Sequence, residues 1–123
     1  MAKPDDRLTE SYLPLKPVVF QILLALAERE SHGYGVIRSV RERSGGCIRL
    51  ETGPFYRHLR KLMDGNLVQE SDDRPLDDDS RRGAYYRLTP LGRRVAEAES
   101  RRLRVLLSLS EELGMAAEEG RLR

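Results

Sequence analysis

Apolar positions recur along this chain first with the period of helices and later with that of short strands. From Leu15 to Arg29, residues Val18, Val19, Ile22, Leu23 and Leu26 fall at helical spacing. Pro17 stands near the start, where its missing N–H costs nothing. The apolar set covers most of the circumference, which predicts the central buried helix. After a break at Ser31-His32-Gly33, the residues Tyr34, Ile37 and Val40 mark one face of a second helix, and Gly45-Gly46 predicts its left-handed C-terminal cap. Alternation in Cys47-Ile48-Arg49-Leu50 predicts a short strand, with Cys47 as a small buried residue. Thr52 as N-cap and Pro54 in the first turn open a third helix, whose apolar stripe is Phe55, Leu59 and Leu62. That helix closes at Asp64-Gly65-Asn66. Leu67 to Glu70 predicts a strand, Asp72 to Gly83 a turn-rich loop, and Ala84 to Leu88 a returning strand. In that strand Ala84, Tyr86 and Leu88 share one face, Tyr85 and Arg87 the other. Thr89-Pro90 repeats the cap signature before a final helix from Leu91 to Leu113, roughly 34 Å long at ~1.5 Å per residue.

This order predicts a mainly α fold with a small β wing: a winged helix-turn-helix with one helix added, continued by a long C-terminal helix. Residues 1–12, polar and interrupted, predict a flexible arm. Residues 13–89 make the winged helix-turn-helix, read as a DNA-binding domain, residues 90–114 a dimerisation helix and residues 115–123 a tail. The last helix carries Leu103, Leu106, Leu107, Leu109 and Leu113, with Ala96 and Leu103, and Leu106 and Leu113, one heptad apart. This stripe runs past the length needed to cover a small core, which predicts a homodimer contact.

Composition narrows the classes. The 123 residues suit one domain. No apolar run approaches the ~20 residues of a membrane span, and Met1-Ala-Lys-Pro-Asp-Asp lacks the plan of a secretion signal. A single Cys forms no internal disulfide, so a cytoplasmic location is expected. Two His and one Cys supply no metal-ligand spacing, and there is no phosphate-binding glycine loop or pair of catalytic carboxylates. The expectation is a non-enzymatic protein without cofactor or metal.

Charge sharpens the picture. The formal net charge is only +2, yet its distribution is uneven. From Arg29 to Lys61 eight basic residues face three acidic ones, and from Arg81 to Arg104 eight face two. Between them, Asp64 to Asp79 holds seven acids and one Arg. Basic blocks at the third helix and at the return strand are the footprint expected for phosphate contacts. On the third helix Arg57, Arg60 and Lys61 project away from the apolar anchors, as a helix in the major groove requires. Asp77-Asp78-Asp79 lies within the wing loop; its carboxylates lack the alternating spacing of a calcium site and read as a solvated tip. Arg81 and Arg82, just beyond, are the wing residues expected to reach the DNA backbone. The acidic loop also supports an alternative, a winged-helix protein-interaction module that docks on a basic partner.

The chain resembles the PadR family of bacterial transcriptional regulators from about Leu15 to Leu113. The opening apolar helix followed by His32-Gly33-Tyr34 is similar to the family's first two helices. Gly53-Pro54-Phe55-Tyr56-Arg57-His58-Leu59 resembles its recognition-helix motif. Tyr85-Tyr86-Arg87-Leu88-Thr89-Pro90-Leu91-Gly92-Arg93 resembles its return strand and entry into the last helix. The resemblance implies a dimeric repressor of the short type, binding a palindromic operator in double-stranded DNA, with Tyr56 and its neighbours Thr52, Gly53 and Pro54 in or beside the major groove. Pro54 stands where many members carry Thr, and Arg57 where many carry Pro. Some short relatives bind drugs between aromatic side chains at the dimer centre; this chain has no Trp, so a small-molecule effector stays unidentified.

Overall fold

The computed structural model describes residues 4–71 and 83–115. Among these residues, five helices and three strands follow in the order α1 (Pro4–Ser11), α2 (Pro17–Glu28), β1 (Ser31–His32), α3 (Gly33–Arg43), α4 (Thr52–Asp64), β2 (Val68–Ser71), β3 (Tyr85–Leu88) and α5 (Pro90–Glu112). The sheet is antiparallel with β3 in the centre, between β1 and β2. Helix α2 buries Ile22, Leu23, Ala25 and Leu26 and packs against α3, α5 and β3, so the most apolar helix is the central one, as its pattern predicts. Val36, Ile37 and Val40 of α3, Phe55, Leu59 and Leu62 of α4, and Leu91, Val95 and Ala96 of α5 complete the core around it.

Local chemistry closes these helices. Pro17 opens α2 in its first turn, and Thr89 caps α5, its hydroxyl accepting from Gly92 N–H at 2.9 Å and donating to the Asn66 carbonyl at 2.6 Å. Helix α3 ends with Gly45 at φ 64°: Gly46 N–H donates to Arg41 O and Gly45 N–H to Glu42 O. This is the paired 6→1 and 5→2 closure of a left-handed cap. Helix α4 ends the same way, with Asn66 at φ 63° and Leu67 N–H donating to Leu62 O.

Several sequence expectations need correction. The N-terminal segment is not an arm throughout: Pro4–Ser11 is helical and packs on α5, with Thr9 buried. Tyr12 then donates its hydroxyl to the Gly65 carbonyl at 2.7 Å, 53 positions along the chain. A polar helix of eight residues carries too little apolar periodicity to be read locally, and is held by tertiary contact. Cys47–Leu50 forms no strand. Ile48 and Leu50 still turn inward while Cys47 and Arg49 are exposed, but no neighbouring strand pairs with them, so Cys47 is a surface residue. The third strand is instead Ser31–His32, read as a break, because the free edge of β3 lies there and pairs Ser31 with Tyr86 and His32 with Tyr85. Thr52 is not the N-cap of α4. Glu51 holds that position without a side-chain cap, and Thr52 is the first helical residue. Tyr85 is the most buried residue of its strand, its ring edge-on to His32 at 5.4 Å.

Candidate nucleic-acid interface

Helix α4 is anchored on one side and open on the other. Phe55, Leu59 and Leu62 are buried, each contributing about 1.5–3 kcal/mol relative to exposure. At 100° per residue, Thr52, Gly53, Tyr56, Arg57, Arg60 and Lys61 fall on the opposite arc, and all six are exposed. Pro54 is half-buried at its margin. The sequence-predicted set is therefore brought onto one continuous face, from the first turn of α4 to its last.

Two contacts fix how α4 sits against α3. The Tyr56 hydroxyl lies over Gly33 of α3, where an added Cβ would collide with it, and the Phe55 ring lies against the same position, 3.1 Å from such a Cβ. The Gly33-Tyr34-Gly35 turn is itself capped by His32, whose Nδ1 accepts from Gly35 N–H at 3.0 Å. Tyr34 is exposed beside it, with the Arg38 guanidinium 5.0 Å above its ring.

Some basic side chains are tied to acids. Arg43 pairs with Glu28. Arg87 of β3 faces Glu30 at 3.8 Å, and with the Gln69 side-chain amide turned so that its oxygen faces Arg87, that oxygen accepts from the guanidinium at 2.6 and 2.9 Å. Arg102 is fixed by Glu99 at 2.6 and 2.8 Å. Among the described residues, none forms an ion pair or side-chain hydrogen bond with Arg57, Arg60 or Lys61. Their charge stands unneutralised toward solvent, and His58 senses it: partial burial first, then Lys16, Lys61 and Arg57, hold its imidazole below the usual histidine range. Arg81, Arg82 and the acidic run Asp77-Asp78-Asp79 lie outside the described residues. Among the described residues no group of His, Cys, Asp or Glu is arranged to hold a metal, and no helix is long and apolar enough to cross a membrane.

The second expected surface is on α5. Its buried residues end at Glu99; beyond, Leu103, Val105, Leu106, Leu107, Leu109 and Leu113 are all exposed, Leu113 by 71%. Glu99 is a functional detail that sequence reading missed. Its carboxylate is 1% exposed, accepts from Leu15 N–H at 3.2 Å and binds Arg102 through both oxygens. The Arg102 hydrogen bonds hold it below the usual carboxylate range against the opposing effect of burial. The available signal is positional: Glu99 continues the Gly92, Val95, Ala96 stripe at i+7, i+4 and i+3, where a charge is out of place.

Residues 22–98 match the family model described as the transcriptional regulator PadR-like family. No curated protein sequence matches. Solved structures share the fold. A transcriptional regulator from Clostridium thermocellum is 18% identical, with a TM-score of 0.64 over 91% of this chain and 97% of that one. A PadR family transcription regulator from Clostridium difficile is 23% identical, with a TM-score of 0.66 over 80% and 98%. The transcriptional regulator BldR from Sulfolobus solfataricus is 22% identical, with a TM-score of 0.62 over 96% and 75%.

Proposed function

Since the chain belongs to the PadR-like family of transcriptional regulators, we propose that it is a sequence-specific, dimeric DNA-binding repressor that reads a palindromic operator. Helix α4 enters the major groove. Thr52, Gly53, Pro54, Tyr56, Arg57, Arg60 and Lys61 form its contact face, and Arg81 and Arg82 of the wing reach the backbone. The observation that carries this reading is the exposed face of α4, where Arg57, Arg60 and Lys61 lie together opposite the buried anchors Phe55, Leu59 and Leu62, with no carboxylate partner among the described residues. An unpaired cation cluster on a rigidly anchored helix is suited to phosphate and guanine edges, since Arg presents a planar fork to either. Exposed leucines on α5 support the dimer, because burying them against a second copy removes an apolar surface that a soluble monomer would leave in water. Two-fold symmetry then presents two copies of α4 to successive major grooves.

The test is a mobility shift on the DNA upstream of its own gene. The wild-type protein is expected to retard this fragment and to release it as salt rises. The Arg57→Ala, Arg60→Ala protein should lose at least about tenfold in affinity, at about 1–3 kcal/mol per base-reading arginine. Equal affinity of the two proteins would remove α4 from the interface.

A further inference from the structure

A cleft of about 340 Å³ opens between the N-terminus of α2 and the second half of α4, lined by Tyr12, Lys16, Val19, His58, Lys61 and Leu62 among others. Its floor is apolar and its rim basic. The segment that carries Lys16 is clamped on both sides of the cleft. Tyr12 is bonded to Gly65 at the end of α4, Leu15 N–H to the buried Glu99 of α5, and the Lys16 carbonyl accepts from Phe20 N–H at 3.0 Å. Lys16 is thus held as the N-cap residue of α2, a position where a lysine cannot act as a cap, and no side chain caps that helix. Its first turn carries no acid, so the helix dipole adds to the positive field. Across the cleft stand His58 and Lys61, one turn apart on the flank of α4 next to its proposed DNA face. The charged and titratable groups that face His58 are Lys16 and Tyr12 from the linker and Arg57 and Lys61 from its own helix. No carboxylate is among them.

We propose that this cleft is a phosphate site, in which Lys16, His58 and Lys61 take one phosphodiester group of the DNA strand bordering the groove that α4 enters. The proposal rests on the DNA-binding reading and extends it to residues of α2 and to a proton. In the free protein His58 is held toward its neutral form by burial and by its cationic neighbours. A phosphate oxyanion in the cleft reverses that field and favours the imidazolium, which then donates to it. Binding takes up a proton, so affinity rises as pH falls. The contact reads no base, so it positions the protein on any sequence.

The experiment measures affinity of the full chain for a labelled 30-base-pair duplex of arbitrary sequence at low salt, across pH 5.5–8. Wild type should bind more tightly at low pH, by up to about tenfold for a His58 pKa raised one unit. The His58→Gln protein should show no such rise. Lys16→Ala, at an exposed side chain, should lower the slope of log affinity against log salt by about one. His58 ring signals in NMR should titrate higher with duplex than with the same concentration of inorganic phosphate; an equal rise with both would overturn the assignment to DNA backbone. If the Arg57→Ala, Arg60→Ala protein binds weakly while Lys16→Ala and His58→Gln match wild type in slope and pH profile, the cleft is not a phosphate site and the reading of α4 stands. If wild type binds no duplex at all, the DNA reading itself fails and the site falls with it.

Discussion

Among the described residues, helical glycines occur at four positions, and at three of them an added Cβ would collide with a neighbouring atom, at Gly92 with backbone. A Cβ at Gly33 would strike the Tyr56 hydroxyl, one at Gly35 the Ser31 hydroxyl, and one at Gly92 the Leu67 carbonyl oxygen. Gly53 differs. An added Cβ would meet only the Arg57 guanidinium, at an ordinary 3.8 Å, while glycine in a helix costs about 0.5–1 kcal/mol relative to alanine. Nothing inside the chain returns that cost, and Gly53 lies near the middle of the arc that α4 turns to solvent. On the proposed reading of α4, close approach of a nucleic-acid backbone or groove edge would supply the reason. Gly53→Ala should therefore raise thermal stability by up to about 1 kcal/mol and at the same time weaken DNA binding. Higher stability with unchanged affinity would take Gly53 out of the interface.

At the scale of elements, legibility in the sequence follows how local the cause is. Thr89-Pro90 and Gly45-Gly46 were readable because cap and turn chemistry acts within a few residues, and the three cations of α4 because helical periodicity alone separates them from Phe55, Leu59 and Leu62. Helix α1 and strand β1 were not, since each exists through a distant partner: α5 for the first, the open edge of β3 for the second. Cys47–Leu50 shows the reverse case, a strand-like alternation with no strand beside it. Glu99 belongs to the same class, because its role is to join the α1–α2 linker to α5. Its folded pKa is lowered, so its contribution is complete above the unfolded glutamate value of about 4.3 and is lost as pH falls through the lower folded value. Glu99→Gln should cost about 1–3 kcal/mol in denaturant unfolding at neutral pH, and the gap to wild type should narrow below pH 4. A gap that stays constant down to pH 2 would show that the charge of Glu99 contributes nothing.

Over the whole molecule, a net charge of +2 is the sum of unlike regions rather than an even mixture. One positive cluster lies where α4 faces solvent and Lys16 adjoins it, and the exposed apolar residues gather at the far end of α5. On the proposed function these two surfaces perform separate tasks: one would touch DNA, and the other would set how many copies of α4 touch it and at what spacing. Replacing Leu106 and Leu113 with Asp should leave the core intact, since both side chains are exposed, while producing a monomer by light scattering. Such a monomer should lose the cooperative protection of an operator. The most direct measurement is hydroxyl-radical footprinting of the DNA upstream of its own gene. Two protected patches related by two-fold symmetry are expected, their centres about one helical turn (~34–36 Å) or a multiple of it apart, both lost with Arg57→Ala, Arg60→Ala. A single unsymmetrical patch, or protection that survives the loss of both arginines, would contradict it.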